Sequence, residues 1–314
     1  MLGGLQSREV SMRLVLLSGG VGGARLARGL AAVPEVDLTV VVNVGDDDRV
    51  YGLEVSPDLD TVIYTMADRE GPHGWGLAGD SFVMMSALEA LPFDTSFRIG
   101  DRDAATNLFR TDRIAAGWSL TWVTTAIASA FGIGATVLPA TDDPVRTKLM
   151  IPGGEWLPFQ EYFVTRRHVD EVVDIRFEGA PGAKPAPGVI EAITAANAVV
   201  IGPSNPILSI WPILAIPGIA EALSQVPRVI GVSPLVGGTA LKGPAHRVLT
   251  SLGFLPGNAG VAEAYDGALT DLFVDRSDSI DERRIRVPRI RVADTRIPDL
   301  ASSTSLAMEL VGIL

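Results

Sequence analysis

Short apolar runs that stop at Gly, Ser, Asn or Asp alternate along this chain with stretches whose apolar residues recur every three or four positions. Residues 13–18 (RLVLLS) form the first run, closed by Gly19 and Gly20. Leu26, Leu30 and Val33 follow at i, i+4 and i+7, one face of a helix. A second run, 38–45 (LTVVVNVG), leads through an acidic loop into 57–67 (PDLDTVIYTMA). There Leu59, Val62, Ile63 and Met66 repeat at helical spacing, with Asp58 or Asp60 at the N-terminus. Strand, helix, strand, helix predicts an α/β fold built on a doubly wound, mostly parallel sheet.

The pattern returns at 97–100 (FRIG), 197–206 (NAVVIGPSNP), 228–238 (RVIGVSPLVGG) and 271–275 (DLFVD). Ligands of open parallel sheets bind beyond the carboxyl ends of the strands. The segments SGGVGGA, NVGDDD, GDRD, GPSNP and SPLVGG are therefore expected to open onto one face. The middle differs. Residues 104–131 read as helical with a break at Gly117, and 140–188 are rich in Pro, Gly and charge. We read 102–190 as an insertion, part helix and part strand, packed as a lid or second lobe on a core made of 12–101 and 191–314. From Arg284 the tail alternates Arg with apolar residues. It reads as an edge strand with Arg facing water and Pro288 blocking further pairing, or else as a phosphate-binding element.

Composition narrows the chemistry. The 314 residues carry 26 Lys and Arg against 37 Asp and Glu, a net charge of −11. That argues against a nucleic-acid binder, which needs cations to displace phosphate counterions. Cysteine is absent, so disulfides, thiolate-bound zinc, iron–sulfur clusters and thiol nucleophiles are excluded. His73, His168 and His246 lie far apart, so a metal is expected to be hard and oxygen-ligated. The start, MLGGLQSREVSM, has no apolar signal region, and Met12 is an alternative first residue. The longest apolar stretch, from Ile207, is cut by Pro212 and Pro217 and reads as a packed, kinked helical region rather than a membrane span. A cytoplasmic protein is expected.

Two loops stand out. Gly19, Gly20, Gly22 and Gly23 would let backbone N–H groups approach a phosphate at a helix N-terminus. No Walker GK[ST] follows, and the third glycine of a dinucleotide fingerprint is replaced by Arg25. A tight turn without ligand is the plain alternative. Asp46, Asp47 and Asp48 end the second strand, and Asp58 and Asp60 follow after a turn. Carboxylates from two neighbouring loops can share a divalent cation. Helix capping for Asp58, a solvated loop for Asp48 and a ribose contact for Asp46 are the alternatives. Ser204 and Asn205 either cap the following helix or bind a base or phosphate, and Arg102 either offsets phosphate charge or pairs with a neighbouring Asp.

Taken together, LLSGGVGGARLARGL, NVGDDDRVYGLEVSPDLDTVIYTMA, GWGLAGDSF, GDRDAATNLFRT, GPSNPILSIWPIL and SPLVGGTALKGPA resemble the 2-phospho-L-lactate transferase family, whose bacterial branch is called phosphoenolpyruvate transferase. The resemblance runs from about Arg13 to Leu314. It implies a Mg²⁺-dependent enzyme of coenzyme F-420 biosynthesis. Such an enzyme moves a phospho-three-carbon acid from a guanosine-diphosphate-activated donor to the ribityl hydroxyl of the deazaflavin Fo, releasing GMP. It also implies a Rossmann-like core with a helical insertion as second lobe, and a homodimer is expected. By the same resemblance Asp46 and Asp60 are the catalytic and metal-binding acids. Gly20, Val21, Gly22 and Gly23 with Ser204, Asn205 and Pro206 face the nucleotide, and Asp46, Asp47 and Arg102 face the acceptor. Many relatives carry a Lys or Arg after the GWG segment, before the next Asp, whereas this chain has Leu77-Ala78-Gly79-Asp80; a basic contact to Fo or phosphate is therefore either missing or supplied elsewhere, with Arg102 the candidate. Fo is expected between the sheet mouth and the insertion, with Tyr51, Met66 and Trp75 as an apolar wall. A nucleotide-binding oxidoreductase and a non-catalytic guanine-nucleotide-binding protein are the alternatives on the same fold.

Overall fold

The computed structural model describes residues 12–278 and 284–314; the segment 1–11, read above as an extension ahead of Met12, lies outside them. In chain order the strands are β1 (Met12–Ser18), β2 (Val36–Val42), β3 (Asp48–Val50), β4 (Leu53–Val55), β5 (Thr136–Pro139), β6 (Arg146–Met150) and β7 (Trp156–Pro158). Then come β8 (Asp174–Glu178), β9 (Ala198–Ile201), β10 (Val229–Val232), β11 (Leu235–Val236), β12 (Thr239–Ala240), β13 (Asp271–Asp275) and β14 (Arg289–Ala293). Seven of them form one sheet in the order β14-β13-β10-β9-β1-β2-β5, with every pairing parallel. Every residue of β9, β10 and β13 is buried, as is 14–18 of β1. Burial on both faces is why these strands read as continuous apolar runs rather than alternating ones.

Chain order runs outward from β1 through β2 to β5 on one side, and from β9 through β10 and β13 to β14 on the other. The reversal lies between β1 and β9. At such a switch point the loops leaving two adjacent strands turn apart and leave a crevice beyond the carboxyl ends. Here the glycine loop after β1 and the GPSNP loop after β9 pack directly on each other at that point. Helix α1 (Gly20–Ala31) packs on α2 (Pro57–Met66) and on the C-terminal helix Leu300–Val311. No helix among the described residues is long and apolar enough to cross a membrane.

The run 97–100 is not a strand. Its Ile99 packs with Val55 and Ala104 in a small cluster apart from the main core, and the sheet edge beside β2 is taken by β5. The segment leads into a helix pair instead. The Asp101 carboxylate accepts the Val83 and Met84 amides, at 2.9 and 3.0 Å, at the start of α3 (Val83–Glu89). The Asp80 carboxylate accepts the Arg102 and Asp103 amides, at 2.8 and 3.1 Å, at the start of α4 (Asp101–Ala115). Asp101, the first residue of α4, thus caps α3, and Asp80, in the loop ahead of α3, caps α4, the position where the unpaired N–H groups and the positive end of the macrodipole favour a carboxylate.

Segment 102–190 divides. Helix α5 (Leu120–Ala130) and β5 join the central layer, while β7-β6-β8 form a separate antiparallel sheet. Val145, Leu149, Leu157 and Tyr162 of that smaller sheet and its flank nonetheless belong to the same hydrophobic cluster as β1 and β9. The tail forms the edge strand β14, but its arginines do not all face water. Arg289 and Arg291 contact the fully buried Asp271 carboxylate at 2.8 and 2.9 Å, and Arg228 approaches it at 3.7 Å.

Candidate functional site

The site is built outward from the end of β2. There Asn43 donates through its amide nitrogen to Asp58 Oδ2 at 2.9 Å and to Asp46 Oδ1 at 3.3 Å. Its amide oxygen accepts the Gly45 N–H at 2.8 Å, and its own backbone N–H bonds the Ser18 carbonyl at 2.9 Å. One side chain thus fixes the acidic loop to α2 and to the end of β1. The other Asp58 oxygen accepts the Gly20 N–H at 2.6 Å. Asp58 therefore caps α1, the neighbouring helix, rather than its own. The row Gly20, Asp58, Asn43, Asp46 crosses the mouth of the sheet in continuous hydrogen bonds.

Asp47 accepts the Ser56 hydroxyl at 2.8 Å, while its Oδ1 is buried without a partner. Burial, the largest cause, raises the pKa of all three acids. It takes Asp58 to about 6 and Asp47 to about 8, and Asp46 well above the ordinary carboxylate range with the charges of Asp58 and Asp47 added. A desolvated carboxylate with a like neighbour is easier to protonate, and a bound cation reverses that balance.

Asp60 stands apart from this group. Its carboxylate is paired with Arg110, a guanidinium that is 1% exposed and also bonds Asn107. Arg110 already balances Asp60, whereas Asp58 is the acid joined to Asp46. Among the described residues no three His, Asp or Glu side chains form a ready metal cluster. The fit to a hard cation rests on the buried pair Asp46 and Asp58 and on the orphaned Asp47 oxygen.

The glycine loop is tight for reasons internal to the chain. A Cβ on Gly22 would overlap the Pro203 carbonyl, and one on Gly23 would overlap the Ser18 and Ser204 hydroxyls. Ser204 is committed too: its hydroxyl donates to the Gly19 carbonyl at 2.7 Å and accepts the Gly19 N–H at 3.2 Å. Gly20 differs, with φ +63° and open space where a side chain would project. Val21 packs against Gly74. Asn205 accepts the Ile207 and Leu208 amides at 3.0 and 3.2 Å, capping the turn that Pro206 begins, and its side-chain nitrogen is buried and unpaired.

The remaining acceptor candidates are spread along the rim. Arg102 is exposed and reaches the Ala78 carbonyl at 3.4 Å, within the segment that lacks the basic residue. Tyr51 packs on Phe93, Trp75 is 55% exposed beneath Lys242, and Met66 packs against the main core, so these three do not form one wall. A cavity of about 150 Å³ opens beside Asp46, Asp47 and Asp48, and Arg146, Lys148 and Gln160 line its other side. Gln160 donates to the Asp46 carbonyl at 2.6 Å. Sequence reasoning missed Asn43, Arg110, Arg146, Lys148 and Gln160; the one available signal was that RTK in 146–148 places two cations two residues apart.

Residues 14–310 match the family model described as 2-phospho-L-lactate transferase CofD. The chain is 41% identical over 309 residues to a phosphoenolpyruvate transferase of Streptomyces coelicolor, covering 95% of this chain and 97% of that protein. It is 39% identical over 306 residues to a 2-phospho-L-lactate transferase of Methanosarcina acetivorans, covering 96% and 98% respectively. A UPF0052 family protein of Bacillus halodurans has a similar solved fold, with a TM-score of 0.66 at 17% identity over 96% of this chain and 99% of that one.

Proposed function

The chain belongs to the 2-phospho-L-lactate transferase family, and from that premise we propose that it transfers a phospho-three-carbon acid in coenzyme F-420 biosynthesis. The donor is the guanosine-diphosphate-activated acid and the acceptor is the ribityl hydroxyl of Fo. The observation that carries this reading is the hydrogen-bonded row from the Gly20 amide through Asp58 and Asn43 to Asp46, set across the carboxyl ends of β1 and β2, next to the switch point between β1 and β9.

The donor phosphates lie at the start of α1, where Gly20 leaves room and the helix end favours anions. The nucleoside lies toward Asn205, whose free side-chain nitrogen is a donor for it. Asp46 and Asp58 would hold Mg²⁺, and the ion would supply neutralisation of the diphosphate charge. The acceptor hydroxyl oxygen bonds to the phosphorus bearing the acid, and the bond from that phosphorus to GMP breaks. Asp47 receives the hydroxyl proton, since its Oδ1 has no partner in the protein. Positioning and charge neutralisation are what phosphoryl chemistry needs, and no covalent nucleophile is required.

Mass spectrometry of products from Fo, the activated donor and Mg²⁺ tests this. The expected result is the phospho-acid ester of Fo with GMP in equal amount. Guanine-nucleotide binding without GMP release would make the chain a binding protein, and a nicotinamide absorbance change without GMP would make it an oxidoreductase.

A further inference from the structure

The cavity beside the acidic loop contains two cations that the mechanism above leaves unused. Arg146 and Lys148 alternate on β6 with the buried Thr147 and Leu149, so both side chains leave the strand on one face. Both line the cavity opposite Asp46 and Asp47. The acid facing Arg146 across the strand pair, Glu178, is engaged by Arg176 at 2.6 Å. Arg146 itself donates to the Val145 carbonyl at 2.8 Å. Among the described residues no carboxylate lies within ion-pair distance of Arg146 or Lys148.

The strand that carries the two cations is anchored to the acidic loop. The Thr147 N–H bonds the Gly45 carbonyl at 2.7 Å, and Gln160 bonds the Asp46 carbonyl from the other side. The polar row across the mouth therefore has the amide end of α1 at one limit and Arg146 with Lys148 at the other. In a chain with a net charge of −11, two cations that face Asp46 and Asp47 across a cavity without direct ion pairs, Arg146 offsetting part of the charge of both acids, supply the wall that recognises a small anion.

We propose that Arg146 and Lys148 form the subsite for the carboxylate of the three-carbon acid on the donor. This rests on the transfer reaction proposed above, which puts the phosphates at α1 and the acid beyond Asp46. The cavity of about 150 Å³ is smaller than the clefts of about 300–1,000 Å³ that take drug-sized ligands, which suits a three-carbon acid better than a tricyclic ring. Arg146 offers a planar fork to a carboxylate and Lys148 a point charge.

Arg146→Gln and Lys148→Gln test the assignment, with thermal melts to establish that both fold. The KM for the activated donor should rise about tenfold or more in each, because a charge-assisted hydrogen bond is lost. GDP lacks the acid, so its Kd by calorimetry should stay within about twofold of the parent value, and Arg146→Lys should recover part of the loss. An unchanged donor KM in both variants overturns the subsite. So does an equal loss of GDP affinity, which would make these cations contacts of the nucleotide. If the parent enzyme releases no GMP from donor and Fo, the transfer reading fails by itself. Calorimetry with phosphoenolpyruvate in the presence of GDP then decides the subsite alone. Binding to the parent and not to Arg146→Gln supports it, and binding to neither, or equally to both, overturns it.

Discussion

Asp46 is costly to keep. It is 6% exposed, has two acidic neighbours and receives one long hydrogen bond from Asn43. A carboxylate retained under those conditions serves a ligand rather than the fold. Asp46→Asn should therefore lower GMP release by about 10²–10³-fold, the scale of losing a transition-state electrostatic contact, while the melting temperature stays level or rises. Turnover at the parent rate would remove Asp46 from the site. Arg110 and Asp60 predict the opposite. Both are buried and bonded to each other, so Arg110→Met leaves an uncompensated charge and should cost about 3–5 kcal/mol in urea unfolding. Adding Asp60→Asn to that variant should restore part of the loss; no recovery would show that Arg110 acts through its bonds to Asn107 and the Glu54 carbonyl instead.

At the scale of elements, α1 and the loop after β9 are fitted backbone to backbone. Gly22→Ala places a methyl group on the Pro203 carbonyl, so it should destabilise the chain by about 1–3 kcal/mol even without nucleotide. A variant that keeps its melting temperature but loses GDP affinity would instead make Gly22 a phosphate contact. The strands β1, β2, β9, β10 and β13 were legible because burial on both faces imposes an apolar run on each. The run 97–100 misled because a short apolar run before a Gly also suits the approach to a capped helix; what separates the two is Asp80, about twenty residues earlier, closing over Gly100. The acidic loops were legible as a cluster, yet their pairing was not. Asp58 and Asp60 are two residues apart on α2, so they point to different sides of that helix. Only the fold shows that Arg110 meets one and Asn43 the other. Arg146 and Lys148 were illegible for a similar reason: β6 returns to the loop at 45–48 from about a hundred residues away.

The whole molecule places its buried acids in two opposed groups, and their balance sets how stability follows pH. Around the sheet mouth, Asp58 and Asp47 have pKa values raised by burial from 3.8 to about 6 and about 8. The folded state holds protons there that the unfolded state has released. Their stabilising contribution is full below the unfolded value and is lost as pH rises through the folded values, from about 4 to 8. At the other end of the sheet, Asp271 keeps a pKa lowered to about 2: burial pushes it up, but hydrogen bonds from Arg289, Arg291 and Thr270 more than offset that. Its contribution is present above the ordinary carboxylate value and is lost as pH falls toward 2. The metal-free chain should thus melt highest near pH 4–5 and progressively lower toward pH 8. Millimolar Mg²⁺ should raise the melting temperature most at pH 8, since a cation stabilises the ionised acids that are otherwise strained there. Asp58→Asn should flatten the slope between about pH 4 and 6 and shrink the Mg²⁺ effect together, because one carboxylate serves both. Circular dichroism melts at three pH values, with and without Mg²⁺, measure all of this. A metal-free melting temperature that climbs from pH 5 to 8, or a Mg²⁺ effect untouched by Asp58→Asn, would separate the buried acids from cation binding.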